Sequence, residues 1–273
     1  MIRLILPASP EAAHAEAMLR AHPKDVFGCK LAANRAAYGW EGEGSQANLL
    51  YEGARPVGLL GLLDGQAILL CDTPPHADTL EELACYLRMA GVTEWMGDAA
   101  VGARLAGSLP GWTSESSVIL QAAGYPPDSA PPPDPAVVRN GPSDGIFELL
   151  RQPFGLDPAV KAGFEADLRL RIDRWICDLY AIYDGDGQAI STLTVTRASG
   201  LRLIGSVATA TAHRGRGLAG RLIETVRTVY AGETLAVMAL HEGVVGFYIQ
   251  HTFCPVGRWS RLRAPTQTPG DGQ

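Results

Sequence analysis

The sequence predicts an α+β chain of two tandem domains, each a mostly antiparallel central sheet flanked by helices. Three observations carry this expectation. Residues 122–142 hold seven prolines in 21 positions, and proline fixes φ and lacks an amide donor, so the stretch reads as an extended, semi-rigid connector. It separates halves of similar length, 1–121 and 136–265, with 122–135 as linker and a polar, flexible tail at 266–273. Both halves show the same order of elements, β-α-α-β-β-β-α-β-α-β, with the three central strands joined by short turns.

The elements follow from local patterns. In the second half, 136–139 is a short opening strand and 144–152 and 157–175 are helices. Strands at 178–183 and 189–197 flank Asp184-Gly-Asp-Gly-Gln188, whose turn residues mark a hairpin. Ser199-Gly200 then leads to a third strand at 201–209. A helix at 217–231 repeats apolar residues (Leu218, Leu222, Ile223, Val226) at helical spacing and stops at Gly232. A strand at 235–240, a short helix at 243–250 and a last strand at 256–263 complete the half. The first half reads as a strand at 2–6, helices at 10–21 and 25–37, and strands at 47–52, 56–63 and 66–71. It ends with a helix at 78–90, a strand at 92–96, a helix at 98–107 and a strand at 116–121.

Composition bounds the function. With 273 residues, 47% hydrophobic and 19% charged, the chain is long enough to bury a core without disulfide or metal staples. A net charge of −6 argues against general nucleic-acid binding. Nine basic and sixteen acidic groups lie in 1–142 and fourteen and thirteen in 143–273, so an anionic ligand sits more comfortably on the second half. The five cysteines are scattered without a CxxC pair, which reads as reduced thiols in a cytoplasmic protein with no metal site. No run approaches the roughly 18 apolar residues of a membrane span, and the N-terminal apolar run falls short of a secretory core of about 7–15. Neither a membrane nor a nucleic-acid partner is expected; monomer and homodimer stay open.

The chemistry concentrates where the third strand of the second half ends. Ser206-Val-Ala-Thr209-Ala-Thr-Ala-His213-Arg214-Gly-Arg216-Gly217-Leu-Ala-Gly220 runs from a strand through small residues into a helix. Glycines let successive amides close around an anion, and the helix adds unpaired amides and the positive end of its dipole. Arg214 and Arg216 add charge in the same place. Gly215-x-Gly217-x-x-Gly220 also matches a dinucleotide signature, with Glu242 about 22 residues on. That reading needs a first parallel strand before the loop and several βα units after it. Here three hairpin-linked strands precede it and about 50 residues follow.

Arg214-Gly-Arg-Gly217-Leu-Ala219 resembles the R/Q-x-x-G-x-G/A motif of the GNAT superfamily of acyl-CoA-dependent N-acyltransferases. Gly246-Phe-Tyr248-Ile-Gln-His-Thr-Phe253-Cys-Pro-Val256-Gly resembles the family's A-L-Y-E-K-x-G-F-x-x-V-G segment. The resemblance covers about 136–263. It implies acetyl transfer from acetyl-CoA, as acyl donor, to a primary amine of a small molecule or peptide. It implies that Val207, Ala208 and Thr209 line the pantetheine arm, and that Arg214, Gly215, Arg216, Gly217, Leu218, Ala219 and Gly220 hold the diphosphate. Tyr248 aligns with the tyrosine that protonates the departing thiolate. Phe164, Glu165, Asp167 and His241 are the candidate acceptor-side residues.

Two positions depart from the pattern: Thr252 stands where the family usually has Gly, and His241 where it often has Asn. No carboxylate lies in 201–209, where some members carry a base. That keeps a second reading open, a non-catalytic acyl-CoA-binding sensor or interaction module. Blander roles also stand beside the functional ones: Tyr248 as a packing residue, Arg214 and Arg216 as solvated charges, His213 and His241 as structural. Trp175, Trp259 and Phe247 are expected in the core, and Cys254, with no base beside it, is given no nucleophilic role. After its third strand the first half has Cys71-Asp-Thr-Pro-Pro-His-Ala-Asp-Thr-Leu80, with no glycine and two aspartates. A domain of this family so altered is expected to have lost cofactor binding.

Overall fold

The computed structural model describes residues 1–42 and 44–265, and the tail expected at 266–273 lies outside the described residues. The N-terminal half runs through β1 (Ile2–Leu4), α1 (Pro10–Ala21), α2 (Val26–Tyr38), β2 (Glu41–Gly42), β3 (Ser45–Glu52), β4 (Arg55–Leu63) and β5 (Gln66–Cys71). It continues with α3 (Ala77–Met89), β6 (Glu94–Asp98), α4 (Ala99–Ala106) and β7 (Thr113–Ala123). The C-terminal half has β8 (Val138–Arg139), α5 (Ile146–Phe154), α6 (Lys161–Asp173), β9 (Cys177–Tyr183), β10 (Ala189–Thr196) and β11 (Arg202–Thr209). Then come α7 (Leu218–Val229), β12 (Thr234–Met238), α8 (Val245–Gln250) and β13 (Cys254–Arg263). Each expected element is present. The two-residue β2, paired with the start of β3, is additional.

Local chemistry explains the boundaries. The Ser9 hydroxyl accepts from the Ala12 amide at 3.2 Å and starts α1, and the Asp98 carboxylate accepts from Ala100 at 2.8 Å and starts α4. In the hairpin between β9 and β10, Asp184 Oδ1 accepts from the Asp186 and Gln188 amides at 3.0 and 2.9 Å, with Gly187 at φ 77°.

The chain folds into two compact units that do not follow its linear halves. One comprises 1–22, 38–118 and 257–265; the other comprises 23–37 and 119–256. In the first, the strands run β1-β3-β4-β5-β6-β13, antiparallel except for β5 beside β6. In the second they run β7-β12-β11-β10-β9-β8, antiparallel except for β11 beside β12. The plan is therefore duplicated, with the final strand of each half supplied to the other unit's sheet. Trp259–Arg263 of β13 pair with β6, while Ile119–Ala123 of β7 pair with β12.

In the first unit Leu69, Leu83, Trp95, Leu105 and Leu262 form the core. In the second, Leu222, Ile223 and Val226 on one face of α7 are completely buried, as are Leu179, Leu193, Val195 and Leu235 of the strands. The proline-rich stretch is not a free connector. Gly124 donates to Glu233 O at 2.8 Å, Tyr125 to Arg227 O at 3.0 Å, and Arg221 Nε meets Asp134 Oδ2 at 2.6 Å, so the strap is tied along α7. A core place expected for Trp175 is corrected: it is 73% exposed, at φ 59°, with the Arg197 guanidinium 5.7 Å from its ring centroid. Trp259 is buried and Phe247 half-buried.

A buried ionic cluster anchors the second unit. Asp178 of β9 is fully buried and accepts from Arg139 Nη2 at 2.9 Å, from Asn140 Nδ2 at 2.9 Å and from the Tyr230 hydroxyl, with Arg197 Nε at 3.2 Å. Burial alone would raise its pKa; the hydrogen bonds from Tyr230, Arg139 and Asn140 outweigh burial and hold the carboxyl below its ordinary range.

Candidate active site

The site is built at a split between two parallel strands. β11 pairs with β12 only over Arg202–Ile204 against Leu235–Val237. Beyond Ile204 the ladder stops, so backbone groups of 205–209 on that side have no strand partner. A bulge sharpens the divergence. On its other edge β11 matches Thr194 with Gly205 but Thr192 with Ala208, so Ser206 and Val207 together oppose Leu193. Ser206 absorbs the extra residue at φ 51°. The fully buried Ser191 fastens the strand beyond the bulge, with its hydroxyl 3.2 Å from Ala208 O and 2.9 Å from Thr209 Oγ1.

The split opens a cleft of 440 Å³. Of the residues predicted from sequence, Val207, Ala208, Thr209, Arg214, His241 and Tyr248 all border it. Tyr248 of α8 is 6% exposed, and its ring packs edge-on to Phe247 and Phe253 at centroid distances of 5.1 and 5.9 Å. Its hydroxyl makes no hydrogen bond among the described residues. Burial alone pushes this phenol up to about 12, so it stays protonated throughout the physiological range. His241 precedes the 3-10 turn Glu242–Val244 that leads into α8, and its imidazole lies exposed beside Gly243.

Past Thr209 the chain makes a 3-10 turn at Thr211–His213 and enters α7. Arg214 Nε donates to Thr209 O at 3.3 Å, and Arg216 Nη1 lies 2.9 Å from His213 Nδ1. Gly215 and Gly217 both sit at φ 73°, a conformation costly for residues with a Cβ, and no atom lies within 4 Å of where a Cβ would stand on either. Gly217 caps α7 without a side-chain hydrogen bond, and the first amide to find a helical partner is Arg221, on Gly217 O at 3.0 Å. The amides of 215–220 therefore have no hydrogen-bond partner among the described residues, and the positive end of α7 lies behind them. Leu218 contributes backbone alone, because its side chain is buried. Gly220 has another reason to be glycine. A Cβ there would stand 2.9 Å from Cε1 of His251, an imidazole whose Nδ1 lies 2.8 Å from Glu224 Oε1. These residues fit a diphosphate followed by an extended arm.

The other candidates lie elsewhere. Phe164 packs at a tilt against Phe147 with ring centroids 5.6 Å apart, and Asp167 accepts from Arg171 Nε at 2.7 Å along α6. Neither they nor Glu165 border the cleft; the wall on that side comes from Pro153 and Phe154 at the end of α5. That wall, and Met238, Leu240 and Val244, were not read from the sequence. The one local signal was Gly155, which ends α5 at φ 63° and sets where its last side chains stand.

At the corresponding place in the first unit one amide is already engaged by a carboxylate. The amide of His76, at the head of α3, donates to Glu52 Oε1 at 2.6 Å, and this hydrogen bond holds the Glu52 carboxyl below its usual range. A carboxylate thus stands where a diphosphate would need bare amides.

No family model matches the sequence, and no curated protein matches it. Solved structures do. A tandem GNAT protein from the clavulanic acid biosynthesis pathway, solved without acetyl-CoA, is 14% identical, with 99% of both chains covered and a TM-score of 0.59. A GCN5-related N-acetyltransferase from Sphaerobacter thermophilus is 16% identical over 96% of this chain and 94% of that one, at 0.59. A GNAT-family acetyltransferase from Colwellia psychrerythraea is 14% identical over 97% and 100%, at 0.54. The chain thus has the fold of the GNAT acetyltransferases, in tandem form along its whole length.

Among the described residues no group of three or more metal-ligating side chains occurs, and no helix is long and apolar enough to cross a membrane.

Proposed function

We propose that the second unit transfers an acetyl group from acetyl-CoA to a primary amine of a small molecule or peptide. The observation that carries the reading is the cleft at the split between β11 and β12. The unpaired edge of β11 lines it together with Arg214 and Tyr248; residues 215–220, Arg216 among them, do not border it but follow Arg214 directly in the chain, at the head of α7.

Acetyl-CoA would supply an activated acyl group on sulfur. In this reading the amides of 215–220 with Arg214 and Arg216 bind the diphosphate, and the free backbone edge at Val207–Thr209 aligns the arm. A backbone amide near Val207 donates to the carbonyl oxygen as negative charge develops there; losing one such donor typically costs about 10²–10³ in rate. His241, the one imidazole on the wall, takes up the proton that the amine releases. Tyr248 donates toward the leaving sulfur. Its raised pKa makes complete transfer to a thiolate uphill, so its role is a hydrogen bond strengthened as charge builds on sulfur.

The test is CoA release from acetyl-CoA in the presence of a panel of primary amines. Turnover that depends on the amine supports transfer. Acetyl-CoA binding with no turnover across the panel would instead favour the sensor reading, to which the missing carboxylate in 201–209 points.

A further inference from the structure

The chemistry of the cleft wall narrows the acceptor, and this inference rests on the transferase reading above. Pro153, Phe154, Val237, Met238, Leu240 and Val244 form an apolar part of the wall, and a polar part of similar extent comes from backbone and from the side chains of Ser206, Thr209, Arg214, His241 and Tyr248. Among the described residues bordering the cleft there is no carboxylate. An alkylammonium entering it would lose its water and find no carboxylate to pair with. Desolvating an ammonium without a partner is strongly unfavourable, and nucleophilic attack needs the lone pair that protonation occupies. An aliphatic amine with a pKa of about 10.4 is neutral in fewer than about one molecule in a thousand at neutral pH. The titratable groups of the wall beside an incoming nitrogen are His241 ahead of α8 and Tyr248 on α8; Arg214 after β11 is engaged by the diphosphate in the reading above, and β12 and α5 contribute none.

We propose that the acceptor is a weakly basic amine, uncharged at neutral pH and carried on an apolar ring-sized body, as in an arylamine. The ring lies against Pro153, Phe154 and Val244, and the amino group points at the acyl carbon beside Val207. As the nitrogen–carbon bond forms, the carbon–sulfur bond breaks. One proton leaves nitrogen for His241, which passes it to water; the leaving sulfur is held by the Tyr248 hydrogen bond and takes up one proton from water, and nothing is oxidised or reduced. The products are an N-aryl acetamide and free CoA.

The test uses the full chain and two readouts. Calorimetry first measures acetyl-CoA binding. CoA release is then followed with para-anisidine, phenethylamine and spermidine as pH is raised from neutral to alkaline. Phenethylamine separates the shape of the body from the charge on nitrogen. The expected result is a kcat/KM for para-anisidine at least about tenfold above both others at neutral pH and flat as pH rises, while that of phenethylamine climbs about tenfold per pH unit below its pKa. The proposal is overturned if spermidine matches para-anisidine at neutral pH. It is equally overturned if the chain binds acetyl-CoA and leaves para-anisidine untouched, a result that spares the transferase reading. Absence of acetyl-CoA binding removes both.

Discussion

Tyr248 combines burial with an unshared hydroxyl on a cleft wall, a pairing that packing alone does not require of a tyrosine. Tyr248→Phe keeps the ring and its contacts with Phe247 and Phe253. It is expected to lower kcat by about 10² or more while acetyl-CoA affinity holds within about twofold; an unchanged kcat would return Tyr248 to a packing role. Asp178 illustrates the opposite case, a buried carboxylate that serves the fold. Its pKa is depressed in the folded state, so its contribution is present above the unfolded pKa of about 3.9 and is lost as pH falls through the folded value. The melting temperature should drop on acidification below that point, and Asp178→Ala, which strands Arg139 and Arg197, should cost about 3–5 kcal/mol in denaturant unfolding. At Thr252 the sequence itself warned of a mismatch. The residue stands where the resembled pattern has glycine, and it occupies φ 66°. Thr252→Gly should therefore stabilise the chain by about 1 kcal/mol; destabilisation would show that the threonine side chain gives more than the strain takes.

At the scale of elements, the β11–α7 connection was legible because its chemistry is written in residue types. Glycines at 215 and 217 announce positive φ, and the structure places both there. The apolar stripe of Leu222, Ile223 and Val226 announced the buried face of α7, and the structure buries it completely. The bulge in β11 was not legible, since Ser206 takes a backbone conformation that glycine would have signalled. It arises from pairing with β10, where Ser191 and Thr194 hold the strand on either side. Nor was the wall of the cleft legible. Phe164 of α6, expected on the acceptor side, packs on Phe147, and the cleft is bordered instead by Pro153 and Phe154 where α5 ends. Which of two neighbouring helices faces a cleft depends on packing between elements distant in sequence. The run of unpartnered amides itself is testable: Gly217→Val places a branched side chain at φ 73° beside the amides. It should weaken acetyl-CoA binding by at least about tenfold.

For the whole molecule, the repeated order of elements was readable and the exchange of segments was not. A half-chain period in the pattern says that a plan occurs twice. It is silent on which sheet receives each final strand, because β7 and β13 have the same look from either side. The outcome has a consequence for dissection. The second unit includes 23–37, with Arg171 Nη2 donating to Asn34 Oδ1 at 2.9 Å, and it takes Ile119–Ala123 as a strand beside β12. A fragment of 136–265 lacks both and ends in a strand segment belonging to the other unit. It should show no cooperative thermal transition, and a fragment that melts cooperatively would contradict the interleaving. The duplication also bears on ligand count, since the head of α3 gives its His76 amide to Glu52 while the head of α7 keeps its amides open. Calorimetric titration of the full chain with acetyl-CoA examines both ends of this contrast at once. The account predicts one molecule bound per chain and a loss of at least about tenfold in affinity for Gly217→Val. Two molecules per chain, or a Gly217→Val variant that binds as the parent does, would contradict it.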